Sequence, residues 1–138
     1  MTAAFSDHAS THPVGKDSPC IALCTTALGD MVCRGCARTF DEVGQWPGFT
    51  PVQKQHVWRC LPHRHRLLAV AQCAGVLLDV ETDVQGKEWG VMGLTDGLVR
   101  FALRERGWLE VLGAEGVQRQ ALTEKDGPAE VLSLLQLR

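Results

Sequence analysis

The spacing of apolar residues changes rhythm twice along this 138-residue chain. Residues 1–17 hold Ser, Thr, His, Pro and Gly with no hydrophobic period, the pattern of a flexible arm. From Ser18 to Cys36, short apolar steps alternate with cysteine and glycine, a run too brief for its own core and suited to a ligand loop. Helical spacing then begins. Thr39-Phe40-Asp41-Glu42 has the form of a capping box, and the helix it opens is cut short beyond Trp46 by Pro47-Gly48. Thr50-Pro51 starts a second helix, with an N-cap residue followed by proline at the first helical position. Val57, Trp58 and Leu61 form its apolar side. Pro62 is expected to interrupt it or start another, after which Leu67, Leu68, Val70 and Ala71 continue a core stripe as far as Cys73.

After Gly75 the period becomes two. Val76 to Val84 includes strict alternation of apolar and acidic residues, and Trp89–Leu94, Leu98–Leu103 and Trp108–Leu112 are further short strands. Asp96-Gly97 is a two-residue hairpin signal. Val117–Leu122 adds an edge strand, and Asp126-Gly127-Pro128 opens a last helix through Leu135. The predicted fold class is α+β, in three parts: an arm at 1–17, a helical metal-binding domain at 18–74, and a small antiparallel sheet with a C-terminal helix at 75–138.

Composition narrows the function. Hydrophobic residues make up 45% and charged residues 22%, ordinary globular usage. No apolar run reaches the roughly 18 residues of a membrane span. The start of the chain shows neither a basic nor an apolar leader region, so a cytoplasmic location is expected. The net charge of −2 makes nucleic acid an improbable partner. Residues 1–74 balance to +2 and residues 75–138 to −4, so the basic residues gather on the cysteine side.

Six cysteines are the informative excess, four of them at Cys20, Cys24, Cys33 and Cys36. In a reducing compartment such clustering points to metal rather than to disulfides. Packing as small buried hydrophobes is the competing account, but it does not explain two close pairs in a coreless stretch. The spacing is C-x3-C and C-x2-C, with Gly29 and Gly35 where the backbone must reverse. Four thiolates around Zn²⁺, or around an oxidised two-iron, two-sulfur cluster, leave a net charge of −2. Lys16, Arg34, Arg38 and the N–H groups of the helix after Thr39 are placed to offset it. Spacing alone leaves zinc and iron–sulfur open.

Ser18-Pro19-Cys20, Cys24, Cys33-Arg34-Gly35-Cys36-Ala37-Arg38-Thr39, Glu42, Trp46 and Leu61-Pro62-His63-Arg64 closely resemble domain-of-unknown-function family 1289. Its members are small bacterial proteins described as predicted iron–sulfur proteins (YdhL-like). The likeness covers residues 18–66 and implies that Cys20, Cys24, Cys33 and Cys36 are cluster ligands. It implies nothing about residues 75–138. The loop after Cys24, Thr25-Thr26-Ala27-Leu28, departs from the family's commoner acidic opening.

Other candidates have plainer explanations. His63 and His65, two apart on a helix, point about 200° from each other and suit solvated positions better than one shared ion. Cys60 and Cys73 read as core or partly exposed thiols, and Arg59, Arg64 and Arg66 as a solvated helix face. Trp46 and Trp58, with Phe40, are expected to shield the helical side of the metal loop, leaving its Thr25–Val32 side open and Arg34 at the rim. Asp79, Glu81 and Asp83 fit a solvated strand face. No convergent acid, base and nucleophile set is present, so no catalytic activity of its own is expected. The sequence thus predicts a small metal-binding protein. It is either an iron–sulfur protein serving electron transfer or a partner redox enzyme, or a zinc-stabilised interaction module.

Overall fold

Thr39 and Glu42 open the first helix as the sequence predicts. The Glu42 N–H donates to Thr39 Oγ1 at 3.1 Å and the Thr39 N–H to Glu42 Oε1 at 2.9 Å, giving α1 at Phe40–Gln45. Thr50 and Gln53 cap the second helix in the same reciprocal way. The computed structural model describes residues 17–22, 24–104 and 107–137. The expected flexible arm, apart from Asp17, and Lys16 fall outside them.

α2 runs unbroken from Pro51 to Ala74 with Pro62 inside it, so the expected interruption does not occur. An internal proline loses one helical hydrogen bond and costs about 3 kcal/mol. Burial of Val57, Trp58, Leu61, Leu67, Leu68, Val70 and Ala71 along this one helix outweighs that.

The chain packs as two compact units, Met1–His65 and Arg66–Arg138. Val32, Cys33, Cys36, Ala37, Trp46, Val57, Trp58 and Leu61 are buried in the first. Phe40 is 55% exposed and shields nothing, contrary to expectation, because as the first residue of the six-residue α1 it lies on a helix that buries no side chain.

The second unit is a five-stranded antiparallel meander, β1 (Asp79–Thr82), β2 (Glu88–Leu94), β3 (Gly97–Arg104), β4 (Trp108–Gly113) and β5 (Gly116–Ala121) in sheet order, followed by α3 (Pro128–Gln136). The fold class is α+β. Leu94 pairs with Gly97, so the β2–β3 loop is Thr95-Asp96, one residue earlier than the Asp-Gly signal suggests. Gly97, at φ +121°, takes the backbone that a side chain would oppose. Leu67, Leu78, Gly90 and Phe101 meet on one sheet face. On the other, Glu110 is buried and accepts from Arg104 Nε at 2.9 Å, Arg119 Nε at 3.1 Å and Lys87 Nζ at 3.4 Å. Arg104 and Lys87 lie over Trp89, and Arg119 over Trp108. β1 is shorter than the alternating run, and Asp83 leaves the strand face to accept N–H groups from Gln85, Lys87 and the Trp89 indole.

Candidate metal centre

Cys33 and Cys36 sit on a tight reversal. Val32 bridges Thr39, the Cys33 N–H donates to Arg38 O at 2.8 Å, and the Ala37 N–H returns to Cys33 O at 2.7 Å. The turn carries Ala37 at φ +69°, a conformation that costs a non-glycine residue about 1–2 kcal/mol. The reversal points backbone donors at sulfur. Cys33 Sγ accepts from the N–H groups of Cys36, Thr25 and Gly35, the last at 3.4 Å, and lies within hydrogen-bond reach of the Cys36 side chain. Burial alone would push the Cys33 thiol up, but these donors outweigh it and bring the group down to about 7. Cys36 Sγ accepts from Arg38 Nε at 3.4 Å, yet burial still pushes that thiol up.

The first cysteine pair lies on the approaching segment. Cys20 is exposed, and its Sγ accepts the Ala22 N–H at 3.3 Å, with Ala22 also left-handed at φ +70°. Cys24 is half-buried, its Sγ 2.9 Å from Thr26 Oγ1. A 3₁₀ turn follows at Thr25–Leu28. Thr25 fastens it to the second pair, because Thr25 Oγ1 accepts the Arg34 N–H at 2.8 Å while its own N–H reaches Cys33 Sγ. Cys24 and Cys33 are therefore each followed by a residue bonded to the other loop. Among the described residues, no three His, Cys, Asp or Glu side chains are gathered closely enough to hold a metal ion. The structure joins Cys33 with Cys36 and does not draw Cys20 and Cys24 into a trio with them.

The donor set nevertheless suits a thiolate-bound metal. Three of the four sulfurs accept N–H groups, the partners that stabilise a ligating thiolate. Cys60 and Cys73 belong to neither loop, and Cys60 faces His56 at 3.9 Å.

Residues 18–65 match the family described as "Protein of unknown function (DUF1289)". The match covers about a third of the chain and ends where the first compact unit ends. No curated protein and no solved structure matches the chain. Within the matched segment, Trp46 and Trp58 are buried as expected, but the Thr25–Val32 loop is open only in part: Leu28 and Met31 are exposed while Thr25, Thr26, Asp30 and Val32 are buried. Arg34 is half exposed and pairs with Asp30 at 2.8 Å.

One residue of the matched segment overturns its sequence reading. Arg64 is 3% exposed, not part of a solvated face. Its guanidinium bonds both Glu42 oxygens and Ala37 O, joining α2 to the start of α1 and to the end of the cysteine turn. Sequence reasoning also missed Asp17 and the buried Thr25, Thr26 and Asp30.

Proposed function

We propose that Cys20, Cys24, Cys33 and Cys36 bind one metal centre, an iron–sulfur cluster, in a protein of the reducing cytoplasm that exchanges electrons with a redox enzyme. The observation that carries this is the convergence of Thr25, Gly35 and Cys36 N–H groups on Cys33 Sγ, with comparable donors at Cys20 and Cys36. Donors of this kind disperse the negative charge of a four-thiolate centre and tune its potential. A bound cluster would supply one-electron chemistry. The chain's own contribution is the burial of Trp46 and Trp58 together with exposed Ile21, Leu28 and Met31 and a half-exposed Arg34 on the segments that carry the cysteines. Those exposed groups offer a partner apolar contact and a cation.

A zinc-stabilised interaction module is the second reading. The modest core of the first unit favours it, since four metal–thiolate bonds can take the place of missing apolar burial. No helix among the described residues is long and apolar enough to cross a membrane. Anaerobic isolation with an absorption spectrum and metal analysis separates the two. Brown protein that dithionite reduces reversibly and air bleaches supports the cluster. Colourless protein holding zinc, with no iron uptake on reconstitution, supports the module.

A further inference from the structure

Asp17 lies just ahead of the DUF1289 match, three residues before Cys20. Three side chains converge on it. Trp46 Nε1 donates to Asp17 Oδ2 at 3.0 Å, Trp58 Nε1 donates to its backbone carbonyl at 3.2 Å, and Lys54 Nζ donates to its carboxylate at 3.0 and 3.1 Å. Both indoles are buried, at 6% and 4% exposure, so their N–H groups need these acceptors. The Lys54 pair alone, with Asp17 65% exposed, would contribute little.

The same tryptophan reaches the other cysteine pair. The Arg38 guanidinium carbon lies 4.8 Å from the Trp46 ring centroid, and Arg38 Nε donates to Cys36 Sγ. A continuous run of contacts therefore leads from Cys36 through Arg38 and Trp46 to Asp17. Three residues of extended chain span at most about 11 Å, which bounds how far Cys20 can stray from that anchor.

We infer that Asp17 is a positioning residue for the metal centre, holding the segment that carries Cys20 on the Trp46–Arg38 frame that holds Cys36. The inference rests on the four-cysteine reading and adds a residue that the cysteine motif does not contain. Removing the carboxylate frees the Trp46 N–H and loosens the approach of Cys20, so metal affinity falls while the Cys33–Cys36 turn persists. An asparagine can still accept the Trp46 N–H and restores the position without the charge.

The test is Co²⁺ titration of the reduced full-length chain, wild type, Asp17→Ala and Asp17→Asn. It follows the thiolate-to-metal absorption band, with tryptophan emission recorded before metal is added. Asp17→Ala should bind Co²⁺ more weakly, by up to about 10-fold, the lower end of the range for loss of a partner bonded directly to a ligand. Its metal-free emission should shift to the red, and Asp17→Asn should recover most of the affinity. Equal affinity in Asp17→Ala, unshifted emission, or Asp17→Asn as weak as Asp17→Ala overturns the positioning role. A wild-type protein that shows no thiolate band and takes up no iron and sulfide on anaerobic reconstitution overturns the four-cysteine reading itself, a result distinct from the other three.

Discussion

Arg64 holds Glu42 through two guanidinium nitrogens, Nη1 on Oε1 and Nη2 on Oε2, the latter at 3.0 Å. Glu42 also closes the α1 capping box, and Arg64 Nη1 reaches Ala37 O at 3.2 Å beside Cys36. One ion pair thus fastens both helices and the cysteine turn of the first unit.

That pair makes the unit sensitive to acid. Burial would raise the Glu42 carboxyl, but the Arg64 bond and charge outweigh it and hold the group below the usual carboxylate range. Its contribution is complete above the unfolded-state value of about 4.3 and is lost as pH falls through the lower folded value. Unfolding of wild type followed by tryptophan fluorescence should therefore lose stability below about pH 4. Glu42→Gln should be less stable at neutral pH and show a shallower acid dependence. Arg64→Ala leaves the half-buried Glu42 carboxylate with the Thr39 N–H alone and should cost about 1.5–3 kcal/mol in denaturant titration.

In the second unit the buried Glu110 should matter more than any one of its cations. Glu110→Ala removes the shared partner of Arg104, Lys87 and Arg119 and leaves three positive groups close together. A loss of about 1–2 kcal/mol is expected, because the cations left behind keep partial access to water. Arg119 is half exposed, so Arg119→Ala should cost no more than about 1 kcal/mol. Chemical denaturation of both variants checks the contrast.

Gly90 is where β2 passes beneath Leu67. A Cβ there would lie 3.0 Å from Leu67 Cδ1, 3.3 Å from Leu78 Cδ1 and 3.4 Å from Phe101 Cε1. Leu67 and Phe101 are fully buried and have little room to yield. Overpacking of this kind costs about 1–3 kcal/mol, more than alanine regains in chain entropy. Gly90→Ala should accordingly lower the thermal midpoint.

Most of the fold is legible in the runs of hydrophobic residues. The short apolar runs at 89–94, 98–103 and 108–112, rich in Val, Leu, Trp and Phe, become β2, β3 and β4 almost unshifted. Their buried residues are consecutive rather than alternating, whereas the alternating run at 76–84 yields only β1. Local punctuation is less decisive. Pro62 fails to break α2 because apolar burial on both sides of it outweighs a lost hydrogen bond, and no local rule contains that burial. The cysteine turn is legible from the Cys33–Cys36 spacing, but its left-handed residue is Ala37 rather than the expected Gly35. Its supports are not: Asp17 lies 29 residues from Trp46, and Glu42 lies 22 from Arg64. Nothing in either neighbourhood marks those pairs. Arg64 looked solvated because charge alone does not say which arginine a buried carboxylate will claim.

The sheet should not depend on metal. Its strands are paired along the whole meander, and its buried residues Phe101, Met92 and Leu109 belong to the second unit. Amide exchange of the full chain after chelation should keep protection in β2 to β4 while protection in residues 24–40 falls. Loss of protection across both would show that the sheet requires the metal.

The central claim is that two cysteine pairs form one site. Its most direct test is metal content per chain of anaerobically isolated wild type, Cys33→Ser and Cys60→Ser. Cys33 sits at the convergence of backbone donors, whereas Cys60 lies on α2 beside His56. Wild type and Cys60→Ser should carry one metal centre each, and Cys33→Ser should lose most of it. Full metal retention in Cys33→Ser would contradict the account.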